Sequence, residues 1–268
     1  MSRHGGVTKL GEGRREMKGA HLYKWMPLTT DGSVLWLKYS FGPGTANSLA
    51  AKLEDRTWLV VSPPSEAPAA VYAALDQQGR AGALVAPNVY HNMGQAAWRK
   101  RFPGAISYAP SQARTRLSKK TPGVEFRPME ELAQRLSPAH AFLPDGMKSP
   151  DVMIQIPTGM GNIWWVGDQF SNNGASDQIL PLRLLSRLLG SGPGYRCNSK
   201  PELVYVRDRA AWLESIREAF AERPPAIVVP AHGDPVTENA AERTRRAIDA
   251  IDARVKKLVT EEQIGERP

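Results

Sequence analysis

The sequence predicts a single α/β domain, with strands gathered into sheets and helices packed outside them. Short apolar runs alternate along the chain with stretches of helical spacing. No internal repeat and no evident linker interrupts that alternation. At 268 residues, 41% hydrophobic and 23% charged, the chain is long enough to bury a sizeable core.

The elements follow in order. "SVLWLKYSF" (33–41) alternates like a half-buried strand. "RTWLVVSPPS" (56–65) is a continuous apolar run halted by two prolines, which predicts a buried strand. "EAPAAVYAALDQQG" (66–79) has helical spacing at Val71, Ala74 and Leu75, with Gly79 as a stop. "AGALVAPN" (81–88) is the next buried strand, "GQAAWRKRFPG" a short helix, and "AISYAP" another strand. "DVMIQIP" and "GNIWWVGD" have hairpin character around a turn at 158–161. A helix carrying Leu180, Leu182, Leu184, Leu185 and Leu188 ends in glycines at 190–194. "RAAWLESIREAFAERPP" is amphipathic through Trp212, Ile216 and Phe220, and "AIVVPAHGD" is the final strand. Thr237 is a candidate cap for the last helix, whose stripe runs through Ile248, Ile251, Val255 and Leu258.

Composition narrows the function. The first twenty residues read as a flexible basic segment, and residues 21–268 as the domain. That segment has no apolar core resembling a signal peptide, and no apolar run reaches the ~18 residues needed to span a bilayer. A cytoplasmic protein with no membrane partner is therefore expected. A single cysteine, Cys197, excludes an intrachain disulfide and a cysteine-based zinc site. The net charge of +8 is scattered, and its densest patch, "WRKRF", reads as a solvated helix end. Neither an aromatic stacking motif nor a zinc finger accompanies it, so nucleic acid is not an expected partner. No nucleophile elbow, Walker loop or dinucleotide fingerprint is present.

Three loops carry candidate chemistry: "VAPNVYHNMG" (85–94), "WWVGDQFSN" (164–172) and "VVPAHGDPV" (228–236). Each follows an apolar run, and together they offer His91, Asp168 and His232. In this order they resemble the metallo-β-lactamase-fold hydrolase superfamily: "VGD" resembles its strand-then-Gly-Asp, and "PAHGDPV" its Pro-Gly-His-Gly loop. The resemblance spans roughly residues 20–260 and implies a four-layer αββα sandwich with metal ligands on loops at one edge. The early loop resembles a branch in which the family's His-x-His-x-Asp-His cluster is rewritten. Set beneath that cluster, Pro87 and Val89 replace the first two histidines, His91 the aspartate and Asn92 the last histidine. Met147, in "LPDGMKSP", stands at the family's middle histidine.

The substitutions imply an unequal loss. Pro and Val side chains cannot chelate, and a thioether is soft, so one of the family's two metal positions has no ligand and a dinuclear centre is not expected. The other keeps His91, Asp168 and His232, with Asn92 as a weak oxygen ligand, a set suited to one zinc, iron or manganese ion. Tyr90, Met147 and Asn172 are candidate pocket residues. Two of the ligands also have a plainer reading: His232 as a loop histidine bonded to backbone, and Asp168 as a turn cap. Met147, Met153 and Met160 are expected to pack rather than ligate, and His4, His21 and His140 match no motif. Two functions remain open. One is a hydrolase-like protein with a degenerate site that holds no metal pair. The other is a mononuclear metal-dependent hydrolase of an ester, thioester, lactone or phosphoester. A small molecule is the expected ligand in either case.

Overall fold

A computed structural model describes residues 22–136, 139–198 and 205–251. The basic segment before them, His4, His21, Val255 and Leu258 lie outside the described residues.

Two sheets form the centre. The first has seven strands in chain order: β1 (Met26–Pro27), β2 (Val34–Ser40), β3 (Thr45–Lys52), β4 (Trp58–Val61), β5 (Ala81–Val85), β6 (Ile106–Ala109) and β7 (Phe126–Pro128). Antiparallel pairing over β1–β4 gives way to parallel pairing from β4 to β7. The parallel steps need crossovers, which helices supply. These are α1 (Ala69–Asp76), α2 (Gln95–Arg101) and α3 (Arg114–Lys120), followed by α4 (Met129–Ala133).

The second sheet is built from β8 (His140–Phe142), β9 (Met153–Thr158), β10 (Gly161–Trp165) and β13 (Pro225–Val229), in the order β13-β10-β9-β8. The expected hairpin is present: β9 and β10 pair antiparallel, with Thr158 opposite Gly161. Between β10 and β13 come a small ribbon of β11 (Phe170–Asn173) and β12 (Gly194–Cys197), and two helices, α5 (Leu180–Leu188) and α6 (Arg209–Glu222). A last helix, α7, is described over 240–251.

The period of two along each strand sorts side chains into three apolar layers. Leu49, Leu59 and Val85 from the first sheet meet Ile154, Ile163 and Val229 from the second, forming the core between the sheets. The outer face of the first sheet presents Leu37, Trp58 and Val60 to Val71 and Leu75 of α1 and Trp98 of α2. The outer face of the second packs Met153, Trp164 and Val228 against Trp212, Ile216 and Phe220 of α6, with Ile248 and Ile251 of α7. Helix, sheet, sheet, helix is the αββα sandwich. Trp164 and Trp165, adjacent in sequence and both fully buried, point into different layers.

Two details differ from the sequence reading, and a third, the direction of α5, lay outside it. Thr237 does not cap α7: the helix starts at Ala240, and Asn239, at φ +50°, accepts the Arg243 amide at its carbonyl. Met160 does not pack, because it occupies the tip of the β9–β10 turn and is 52% exposed. The leucines of α5 face largely outward: Leu180, Leu184, Leu185 and Leu188 are 50–67% exposed, while Ser186 is the buried residue of that helix.

Candidate metal centre

The site forms where β4, β5, β10 and β13 end. Ser62 follows β4, His91 lies six residues past β5, Asp168 three past β10 and His232 three past β13. Loops at strand ends carry the chemistry because the paired strands behind them cannot shift.

His91, Asp168 and His232 converge, each offering one ligand atom, with all these atoms within 4.8 Å of one another. Asp168 Oδ1 is 3.1 Å from His91 Nε2 and 3.2 Å from His232 Nε2. The remaining ring nitrogens are engaged elsewhere. His232 Nδ1 donates to the Thr45 carbonyl at 2.8 Å, and His91 Nδ1 lies 2.9 Å from Ser62 Oγ. Ser62 Oγ is itself 3.1 Å from the buried Tyr39 hydroxyl, whose pKa burial pushes up to about 12.

The other oxygen of Asp168 is held too. Asn88 Nδ2 donates to Asp168 Oδ2 at 2.9 Å, and the Tyr205 hydroxyl donates to the same oxygen at 3.0 Å. Asn88 Nδ2 also reaches Asp151 Oδ1 at 2.8 Å, while Asn88 Oδ1 accepts from the Tyr90 and His91 amides. Asp151 Oδ2 accepts the Asp168 amide at 2.8 Å. Gly167 lets this happen: at φ +56°, a Cβ there would sit 2.4 Å from the Asp151 carboxylate oxygens.

The His232 loop is clamped from β3. Asn47 Nδ2 donates to the Pro230 carbonyl at 2.8 Å and to the Gly233 carbonyl at 2.5 Å, and its amide donates to the Ala231 carbonyl. Gly233, at φ +89°, allows the Asn172 backbone to come so close that a Cβ would lie 1.9 Å from the Asn172 oxygen. Lys38 ties the surrounding chain together through Asp177 at 2.8 Å and Asp234 at 2.6 Å.

Electrostatics follow from burial and charge. Burial alone would raise the Asp168 carboxyl, yet the His91 and His232 imidazoles hold it well below the usual carboxylate range. Burial would lower His232, but its hydrogen bond and charge pairing with Asp168 outweigh that and raise it. Burial, then the charge of Asp168, pushes Asp151 well above its usual value. Burial and both carboxylates likewise push Tyr205 well up, so its phenol stays protonated and donates.

The donor set fits a divalent ion. His232 Nδ1 faces a carbonyl, which only accepts, so Nδ1 carries hydrogen and Nε2 presents either a lone pair or a second proton toward Asp168. Two ring nitrogens and one carboxylate oxygen therefore gather around a point that requires a cation, either shared protons or a metal. Histidines oriented by a bond at the far nitrogen are the usual outer support of metal ligands.

The other candidates lie as follows. Asn92 is buried outside the trio, its amide nitrogen donating to Thr121 Oγ1 at 2.7 Å. Val89 sits in an apolar cluster with Ala109, Leu117 and Phe126. Met147 pairs with Val206 beside the α6 layer. Asn172 serves the His232 loop, donating from Nδ2 to the Asp234 carbonyl and from its amide to the His232 carbonyl. Tyr90 lines the cavity in front of the trio, edge-on to Tyr205 at 6.3 Å between ring centres. His140 is exposed on β8. Sequence reasoning missed Ser62, Asn88, Asp151 and Tyr205. Only Asn88 carried a local signal, since Asn after Pro at a strand end favours a turn closed by its own side chain.

The cavity is about 410 Å³. His91, Asp168 and His232 form its floor, with Phe41, Phe170, Leu182 and Leu189 among its apolar walls. Among the described residues, no lysine or arginine lines it.

No protein-family model and no curated protein matches the sequence. Solved structures do match the fold. A metallo-β-lactamase from Erythrobacter litoralis superposes with a TM-score of 0.57 at 18% identity, covering 84% of this chain and 96% of that one. The DIM-1 metallo-β-lactamase gives 0.55 at 13%, covering 85% and 97%, and TMB-1 gives 0.53 at 14%, covering 85% and 98%. The chain has the metallo-β-lactamase fold.

Proposed function

We propose that this metallo-β-lactamase-fold chain is a hydrolase with a single-metal site, held by His91, Asp168 and His232. The observation carrying the proposal is the convergence of three ligand atoms within 4.8 Å, each from a side chain anchored at its other polar atom. The packing of Val89 and Met147 into apolar surroundings supports one ion rather than two.

A divalent ion at such a set supplies Lewis acidity, lowering the pKa of coordinated water toward ~7. The protein's own groups do the rest. Asn88 and Tyr205 occupy Asp168 Oδ2, which leaves Oδ1 for the ion. Ser62 and Thr45 fix the imidazole planes so that both Nε2 atoms face inward. The apolar part of the wall favours an uncharged group on the substrate side. With no cationic side chain among the described lining residues, the cavity suits a carboxylic ester, thioester or lactone better than a phosphoester.

Metal analysis of untagged protein, prepared without added metal and again after exposure to zinc, iron or manganese, tests the site. One equivalent that is lost in both His232→Ala and Asp168→Ala is expected. Turnover of p-nitrophenyl butyrate and a γ-lactone should follow metal content, with bis-p-nitrophenyl phosphate a poor substrate. Folded protein that takes up none of the three ions would overturn the reading.

A further inference from the structure

Helix α5 breaks the usual relation between an amphipathic helix and a core. Its exposed leucines form one arc: Leu180, Leu184 and Leu188 at four-residue intervals, with Leu185 beside them, at 59%, 51%, 67% and 50% exposure. The opposite side carries the buried Ser186 and, with Leu182 and Leu189, lines the site cavity. The pattern is apolar outward and mixed inward, and the described residues cover none of that arc.

The edge of the leucine arc is cationic. Arg187, three residues past Leu184, is exposed and forms no ion pair among the described residues, while Arg183, three past Leu180, is half-buried with its Nε enclosed and unpaired. No acidic residue lies within α5, and the chain as a whole carries +8. An exposed leucine arc bordered by arginine has the chemistry of an element lying in the headgroup region of an anionic lipid surface. A protein partner would more often be met by aromatic anchors, and this face has none.

We propose that α5 is an interfacial docking helix that seats the chain on an anionic lipid surface. Its leucines enter the headgroup region while the exposed Arg187 meets lipid phosphate. The cavity wall formed by Leu182, Ser186 and Leu189 then adjoins that surface, so an amphiphile can pass from the lipid toward His91, Asp168 and His232. No helix among the described residues is long and apolar enough to cross a membrane, and lying on one needs no such helix. The docking is independent of whether the site holds metal.

Flotation of the full chain with phosphatidylcholine vesicles, with and without phosphatidylglycerol, tests this. Co-flotation with phosphatidylglycerol vesicles is expected, weakening as salt rises. In Leu184→Asp/Leu188→Asp the bound fraction should fall at least about tenfold, given the area these side chains would bury. Both positions are exposed, so the circular dichroism spectrum and melting temperature of that variant should match wild type. A second probe is a single added thiol, which labels selectively because the native Cys197 is buried and its thiol pushed up by that burial. An environment-sensitive dye on Leu188→Cys should shift to the blue when anionic vesicles are added. Absence of flotation, or equal flotation by the folded double variant, overturns the proposal. So does light scattering showing a dimer that the double variant converts to monomer, since the face would then meet a second copy.

Discussion

Asn88 Nδ2 donates to two buried carboxyl groups at once, Asp168 Oδ2 at 2.9 Å and Asp151 Oδ1 at 2.8 Å, and so holds the two side chains in register. With its Oδ1 accepting two backbone amides, one side chain organises the turn before His91 and the carboxylate that faces it. Asn88→Ala removes all four contacts. A loss of about 2–3 kcal/mol in unfolding free energy is expected, because buried acceptors are left unpaired. Metal affinity should fall about 10–100-fold. Denaturant titration and competition with a chromophoric chelator measure the two effects, and an unchanged affinity would show that Asn88 does not set the site.

Ser62 acts on one ring only. Ser62→Ala removes the partner of His91 Nδ1 and frees the ring to turn. Metal affinity should fall about tenfold. Stability should change by only about 1 kcal/mol, since the Tyr39 hydroxyl loses one neutral bond. Equal losses in this variant and in His91→Ala would mean that Ser62 does more than orient the ring.

Gly233 is required by its backbone. Gly233→Ala meets an unfavourable φ of +89° and a Cβ position 1.9 Å from the Asn172 oxygen, so the loop must move. A destabilisation of about 3 kcal/mol or more is expected, with the metal lost from folded protein. Thermal unfolding and metal content in parallel check it; a variant that melts and binds like wild type would show that the loop yields easily.

Lys38 gives a pH signature away from the ligands. Burial disfavours its ammonium, but Asp177 and Asp234 outweigh that and raise its pKa above 10.5. A cation whose folded pKa is raised contributes fully below its unfolded value and loses that contribution as pH climbs through the folded one. Lys38→Met should cost about 3 kcal/mol near neutrality, since Asp177 is left buried without its cation. The difference from wild type should hold steady through neutral pH and shrink above about 10.5. A difference that stays constant into strong alkali argues against the ion pair as its origin.

Much of the frame was legible because apolar period is a local property. The runs at β4, β5, β10 and β13 are written in consecutive residues, and the loops after them deliver His91, Asp168 and His232 to one place. What holds those three was not legible. Ser62, Asn88, Asp151 and Tyr205 are common polar residues, and what ties them to the three ligands is mostly contacts 17 to 80 positions apart in the chain. The direction of α5 was equally hidden: spacing tells that Leu180, Leu184 and Leu188 share a face, and says nothing of what lies opposite.

The tryptophans of β10 have a consequence for how the chain tolerates change. Trp164 enters the layer under α6 and Trp165 the layer between the sheets, and Asp168 follows three positions on. Inserting one residue within β10 would exchange the two indoles between layers and carry the carboxylate off its mark in the same stroke. Insertion at Gly159 or Met160, in the turn before it, would leave the count intact. The strand thus works as a ruler whose parity is read at both ends, and length variation in related chains should gather in that turn and spare the strand.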